Sequence, residues 1–307
     1  MWALWGWHSE AHAHTGAVPL RGVYDWSKLP DAEPNAWWVW EFYPSVVIGC
    51  VLFIVAWEWM AGPLRRRWNL SPVGPTRSER VRYWLSIILV FFSLQGPLHE
   101  LSDVYLFSGH MVQHLLITLI FPPMAIAATP GWMWKPILEN ATLLRVGQVL
   151  THPIVAVVFC TSILYLWHVP SMYDWALFDH NVHIAEHLTF MTGYVVLWWP
   201  AFSRSELLPP LSPGLRMVYL FMSTLPMKAL GAILTISDYV LYTFYASQPR
   251  ISSLDPMEDQ RLGGLIMWLP GGLVFWATIA YVFFTQYYSE VVKNRSSKPS
   301  RSVVGAS

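Results

Sequence analysis

Two short stretches of this chain place histidines one helical turn apart. His110-Met-Val-Gln-His114 is one HxxxH, and His183-Ile-Ala-Glu-His187 is another. Residues four apart share a helix face, so each pair can present two imidazoles to one ion, as the histidines of HExxH do. His180 extends the second series to i, i+3, i+7 if that helix begins early enough. Neutral imidazole is a strong ligand for zinc, copper, iron and nickel. A single HxxxH arises by chance, and a lone interfacial histidine more often bonds a backbone carbonyl than a metal. Two pairs, joined by His99 and His168 at the ends of neighbouring apolar runs, point to metal or haem ligation. The candidate ligands are His99, His110, His114, His168, His183 and His187.

Softer and ionic groups lie near them. Met111 adjoins His110, and Met172 follows His168. Thioether sulfur favours Cu(I), although methionine is also the usual gap-filler of apolar cores. Lys228 falls inside an apolar run, where a bare cation is costly. A structural ion pair with Glu100, Asp103 or Glu186 is expected for it. Asp259 opens the last apolar run and is expected to cap its helix; the alternative is an acceptor that orients a ligand histidine. Cys50 and Cys160 stand singly in apolar runs, so neither a disulfide framework nor a CxxC site is supported.

The elements that must carry these groups are membrane helices. Only 12% of the 307 residues are charged and 54% are hydrophobic, with 19 tryptophans; soluble domains carry about 25% charge. The net charge of zero excludes the basic footprint of a nucleic-acid binder. A spanning helix needs roughly 20 mainly apolar residues. Seven stretches approach this: Trp37–Met60, Tyr83–Leu98, Met111–Ala128, Pro153–Val169, Ile184–Phe202, Val218–Ile236 and Leu262–Tyr288. The second should kink at Gly96-Pro97. Segment 131–151 should lie flat on the inner interface.

The expected architecture is an all-α integral membrane bundle of seven transmembrane helices over residues 37–288. It is preceded by an extracytoplasmic arm, 1–36, and followed by a basic cytoplasmic tail, 289–307. The arm lacks the basic and apolar regions of a cleavable signal. With the N-terminus outside and the C-terminus inside, the inner segments hold fourteen Lys and Arg and the outer segments four, as the positive-inside rule requires. Ten of the eleven histidines then fall on the outer side, His152 being the exception. His8, His12 and His14 in the arm could capture metal loosely.

Four blocks carry a family resemblance. They are His110-Met-Val-Gln-His-Leu-Leu with Pro122-Pro123, Trp167-His168-Val-Pro-Ser-Met-Tyr173-Asp174-Trp-Ala-Leu, His183-Ile-Ala-Glu-His-Leu188 running to Trp199-Pro200, and Asp259-Gln-Arg-Leu-Gly263-Gly264-Leu-Ile-Met-Trp268. In this order, over about residues 37–288, they resemble the multi-span CtaG family of cytochrome c oxidase assembly factors. The resemblance implies a bacterial cytoplasmic (inner) membrane protein, not an enzyme, that helps mature a haem-copper oxidase. It implies copper as the cargo, the oxidase subunits as partners, and an extracytoplasmic copper chaperone as a possible donor. The outer segments 99–109 and 237–260 would dock the oxidase as open loops. Imidazole alone leaves zinc open, and bis-histidine haem ligation remains an alternative. A zinc or di-iron metalloenzyme using Glu100, Asp103 or Glu186, or a transporter, ranks lower.

Overall fold

The computed structural model describes residue 31 and residues 36–288. The arm with His8, His12 and His14, and the tail from residue 289, lie outside the described residues. Among the described residues all regular structure is helical, apart from one isolated bridge between Asp31 and Arg250. The helices are α1 (Pro44–Arg67), α2 (Arg77–Leu94), α3 (Pro97–Tyr105), α4 (Phe107–Ala128), α5 (Ala141–Leu150), α6 (Pro153–Trp167), α7 (Pro170–Phe178), α8 (His180–Phe202), α9 (Pro213–Ile236) and α10 (Pro256–Tyr287). Short helical turns fill residues 131–138 and Thr243–Ala246.

Four of these helices, α1, α4, α9 and α10, are each long and apolar enough to cross a membrane. The pairs α2–α3 and α5–α6 reach the same measure together, bent by 46° and 74°, which makes up to six spans. The seven expected spans are therefore four to six by length and apolarity. α8 has 23 residues, about 34 Å at 1.5 Å per residue. Three histidines and Glu186 keep it out of the apolar set. Phe53, Val158, Leu273 and Phe284 are more than half exposed on the outside of the bundle, while His99, His110, His114, His168, His183 and His187 are buried. That inversion suits a protein whose surroundings are lipid tails.

Local chemistry sets the breaks. Gln95 is extended and Gly96 has φ 77°, a left-handed value that glycine adopts without strain. A Cβ at Gly96 would lie 2.8 Å from the Trp40 ring. The Gln95 amide clamps the chain before α1, accepting from Tyr43 N at 3.3 Å and donating to Tyr43 O at 2.7 Å. The first helix accordingly begins at Pro44, not Trp37. The expected kink at Gly96-Pro97 is present. Beyond it, segment 99–109 is not an open loop: α3 is helical to Tyr105, ends in a wide π turn over Leu101–Tyr105, and buries His99 and Glu100. The helix α5, capped by Asn140, leaves Leu143, Val146 and Val149 exposed and turns away from α6, the geometry of an interfacial helix.

Helix starts also differ from expectation where the chemistry sits. α4 begins at Phe107 and α8 at His180, so His110 and His183 lie in first turns rather than at the ends of apolar runs. Apolarity marks only the stretch of each helix beyond its polar first turn. At the opposite end of the bundle, Glu79 closes a capping box with Thr76 and pairs with Arg204, which also reaches Ala127 O at 3.4 Å. That ties the start of α2, the end of α4 and the segment after α8. α9 and α10 pack at Gly231 and Gly264, where an added Cβ would stand 2.8 Å and 2.7 Å from the other's carbonyl oxygen. Small residues allow this approach in membrane bundles.

Two polar expectations are corrected. Lys228 has no carboxylate partner among its described contacts. Its ammonium lies 5.6 Å from the Trp276 ring centre, and its stem passes Gly272, so it faces α10 and gains a cation–π contact. Asp259 does not cap its own helix, because Asp255 does so in a box with Glu258. Asp259 caps α4 instead. Its buried carboxylate accepts from Phe107 N at 2.7 Å, Ser108 N at 3.2 Å and Ser108 Oγ at 2.5 Å. The first amides of a helix have no internal partners, and Leu106 at the cap position offers none. Asp259→Ala should therefore cost more than Asp255→Ala. Each orphaned buried amide costs about 1–3 kcal/mol, against about 1 kcal/mol for an exposed cap. Thermal unfolding of the two variants in detergent checks the order.

Candidate metal centre

The first turns of α3, α4 and α8 converge at one end of the bundle. α4 brings His110 and His114, whose ring centroids are 4.3 Å apart. α8 brings His183 and His187, also 4.3 Å apart, with Glu186 between them in sequence. His114 and His187 meet at 5.1 Å, and His110 and His183 at 5.9 Å. The two HxxxH faces are thus opposed across one helix–helix contact. Ligand atoms of His110, His114 and His187 lie within 4.8 Å of one another. Those of Asp103, His110 and His183 do the same. His110 belongs to both groups, so the two pairs form one candidate centre with two lobes. A tetrahedral ion with 2.0–2.1 Å bonds holds its ligand atoms about 3.3 Å apart, so small side-chain rotations close either lobe.

The hydrogen bonds leave the outward nitrogens bare. Tyr245 Oη donates to Ser102 O at 2.5 Å. Its only proton is then committed, so His110 Nδ1, 3.1 Å away, is the donor in that pair. The proton on Nδ1 leaves His110 Nε2 as a lone-pair acceptor. His168 Nδ1 likewise donates to Leu164 O at 2.7 Å, and His183 Nδ1 faces Asp103 Oδ2 at 3.3 Å. Nε2 of His110, His114, His168, His183 and His187 has no hydrogen-bond partner, and all five rings are buried. Buried polar atoms are normally satisfied. With His114 Nδ1, six imidazole nitrogens on converging helices are unsatisfied, a donor set of the kind that transition metals take.

Two carboxylates complete the charge pattern. Glu186, 1% exposed, stands 3.8 Å from His110 Nε2, 4.0 Å from His114 Nε2 and 3.9 Å from His183 Nε2. Asp103, in the π turn of α3, contacts His99 and His183, each at 3.3 Å. Among the described ion pairs neither carboxylate meets Lys or Arg. A bound cation would supply that missing charge. Asp103 and Glu186 enter the sequence only as candidate partners for Lys228 or members of a lower-ranked enzyme site; the fold makes them neighbours of the histidines.

The other candidates are placed less centrally. His99 is buried and held through Nδ1 by Gln113 Nε2 at 2.8 Å. Its ring stacks on His183 at 5.8 Å, one layer out from the core of the cluster. His168 lies 6.1 Å from the Phe190 ring and belongs to neither close group. His180 begins α8 as the i, i+3, i+7 series requires, yet it is exposed and stacks on Tyr43 at 5.9 Å. Tyr245 and Gln113, which orient His110 and His99, carry no sequence signal: Tyr245 is 135 positions from its histidine. A groove of about 490 Å³ runs between α1, α2, α4 and α8, with apolar walls of the type of Phe53, Val90 and Leu188. Its polar end is formed by Tyr43, His99, His180, His183 and His187.

Comparison with known proteins follows the same residues. Residues 55–289 match the family described as cytochrome c oxidase caa3 assembly factor. Uncharacterized proteins of Mycobacterium bovis and Mycobacterium tuberculosis are each 30% identical over 254 residues, covering 75% of this chain and 36% of their own length. One from Mycobacterium leprae is 26% identical over 254 residues, covering 75% of this chain and 37% of its own length. The chain thus spans about a third of the curated relatives it matches. No solved structure matches it. The family match covers both HxxxH pairs, His99, His168 and Asp259, and on it the chain belongs to the caa3-type, CtaG family of cytochrome c oxidase assembly factors.

Proposed function

We propose that this protein holds a copper ion in the His110–His114–His187 lobe and passes it to a haem-copper oxidase during assembly. In this reading it crosses the bacterial cytoplasmic membrane seven times. α1, the bent pairs, α4, α9 and α10 supply six spans and the polar α8 the seventh. The N-terminus is outside and the C-terminus inside, so the histidine end faces the extracytoplasmic side where a copper chaperone could deliver. It catalyses no reaction of its own. The observation that carries the reading is the convergence of bare, buried Nε2 atoms from two HxxxH pairs beside two carboxylates without basic partners. Imidazole accepts zinc as readily as copper. Copper is preferred because oxidase assembly gives it a destination.

The residues divide the work. His110, His114 and His187 grip the ion. Tyr245 keeps His110 in the tautomer that offers Nε2. Asp103 turns His183 so that its free nitrogen faces the same space, and Glu186 offsets the charge. Two lobes sharing His110 permit release by stepwise ligand exchange, since an ion can gain one ligand before losing another. The polar outer segment 237–260 remains the surface for the oxidase, with Tyr242 and Tyr245 anchored inward.

Metal analysis of purified protein tests the reading. Wild type should retain copper and His110→Ala/His114→Ala should lose it, with oxidase activity in the cell falling in parallel. Equal copper and equal oxidase activity overturn it. Tyr245→Phe removes the hydroxyl that fixes the His110 tautomer and, with it, the hydrogen bond to Ser102 O. It should weaken copper binding by about 10–100-fold, the usual cost of losing an orienting partner, while the lost bond to Ser102 O costs only about 1 kcal/mol of stability, read from the thermal midpoint.

One observation favours a second reading. The groove is deep, apolar and edged at its polar end by His99 and His187, whose rings are 6.1 Å apart. Haem held by facing histidines needs such an apolar slot. An absorption spectrum decides: a Soret band in protein purified from haem-replete cells would support haem, and copper without a Soret band supports the first reading.

A further inference from the structure

A second, smaller pocket adjoins His114 on the side of His168. Its volume is about 20 Å³, enough for one water-sized guest, which needs about 10–15 Å³. Three methionines line it from three helices: Met111 on α4, Met227 on α9 and Met267 on α10. Two imidazoles reach it as well, His114 from α4 and His168 from the end of α6. All five side chains are buried, His168 being 8% exposed. Nε2 of His168 has no hydrogen-bond partner, and neither nitrogen of His114 has one. His168 cannot turn away to find one, because its Nδ1 is fixed to Leu164 O and its own carbonyl accepts from Tyr242 Oη at 3.2 Å.

Methionine in a core ordinarily closes gaps. Here three of them leave a gap open where their helices meet two bare imidazoles. The glycines of α10 keep it so: a Cβ at Gly263 would press on Met111 Cγ at 3.1 Å, and one at Gly271 on Met227 Sδ at 3.3 Å. The donor set is also unlike that of the neighbouring centre. It holds no carboxylate, and it combines thioethers with neutral imidazole, which selects soft Cu(I) over zinc.

We propose that Met111, Met227, Met267 and His168 form a Cu(I)-selective site separate from the imidazole–carboxylate centre, with His114 standing between the two. This rests on the copper reading above. It adds an oxidation state and a second station: the ion held by nitrogen at the histidine lobes moves one residue deeper to sulfur as Cu(I), with no change of charge at that step.

Met227→Leu/Met267→Leu tests it, because Leu conserves volume and costs little packing. Full-length wild type and variant are purified in detergent and titrated anaerobically with Cu(I) against a chromophoric Cu(I) chelator. X-ray absorption of the loaded samples then reads the donor atoms. The variant should bind about one equivalent fewer of Cu(I) and lose the sulfur shell seen in wild type, while its Zn(II) capacity and thermal midpoint stay unchanged. Equal Cu(I) stoichiometry, or a wild-type spectrum with nitrogen and oxygen donors alone, overturns the proposal. In that case, copper that is still lost in His110→Ala/His114→Ala leaves the first reading standing. Failure of wild type to bind any copper overturns both.

Discussion

The cost of burying polar atoms without partners governs this molecule. An unsatisfied buried polar group costs roughly 1–3 kcal/mol, and here six imidazole nitrogens and a Glu186 oxygen share one end of an apolar bundle. Such a cluster does not assemble by its own preference. Side chains left free would rotate toward water or a backbone carbonyl. The surrounding structure therefore has to hold them inward, and most of its departures from regular helix serve that end. The break at Gly96 turns α3 back over the bundle. The π turn of Leu101–Tyr105 brings Asp103 to His99 and His183. Tyr245, Gln113 and the Leu164 carbonyl each occupy one nitrogen of a histidine and so dictate the role of its ring.

At its opposite end the bundle is conventional. Glu79, Thr76 and Arg204 close that end by local capping and one ion pair. Nearer the histidine end, α9 and α10 pack through Gly231 and Gly264, with Gly263 against Phe107. These contacts fix a rigid frame against which the histidine end is built, and none of them involves a group without a partner. Unpartnered buried atoms are most numerous at the histidine end, although Trp57 Nε1 and Trp134 Nε1 lack partners at the other; a bare nitrogen can bind a cation more tightly than one that must first give up a hydrogen bond.

Much of this was legible in the residues. The helical spacing of His110–His114 and His183–His187 survives unchanged, because helix geometry makes a four-residue interval a shared face. That the two faces oppose each other was not legible, since nothing in either stretch specifies the other. Apolarity located most of the helices but misjudged their ends, because the first turns of α4 and α8 carry the polar chemistry and so look unlike membrane. Lys228 and Asp259 were misassigned for a common reason. Both were given partners on the grounds of depth or chain proximity, whereas the fold turns Lys228 toward Trp276 and Asp259 toward a helix some 150 positions earlier. Asp103 and Glu186 were noticed as ionic groups, but their role depends on the neighbours that packing supplies.

The Asp259 contact gives α10 a hold on its neighbour. Phe107 and Ser108 are the first two residues of α4, and His110 follows on the same turn. The carboxylate works as a hitch between two rods: if α10 slides or tilts, the head of α4 is drawn with it, and the spacing of His110 and His114 from α8 changes. A force on the half-buried segment before α10 would therefore reach the histidines without touching them.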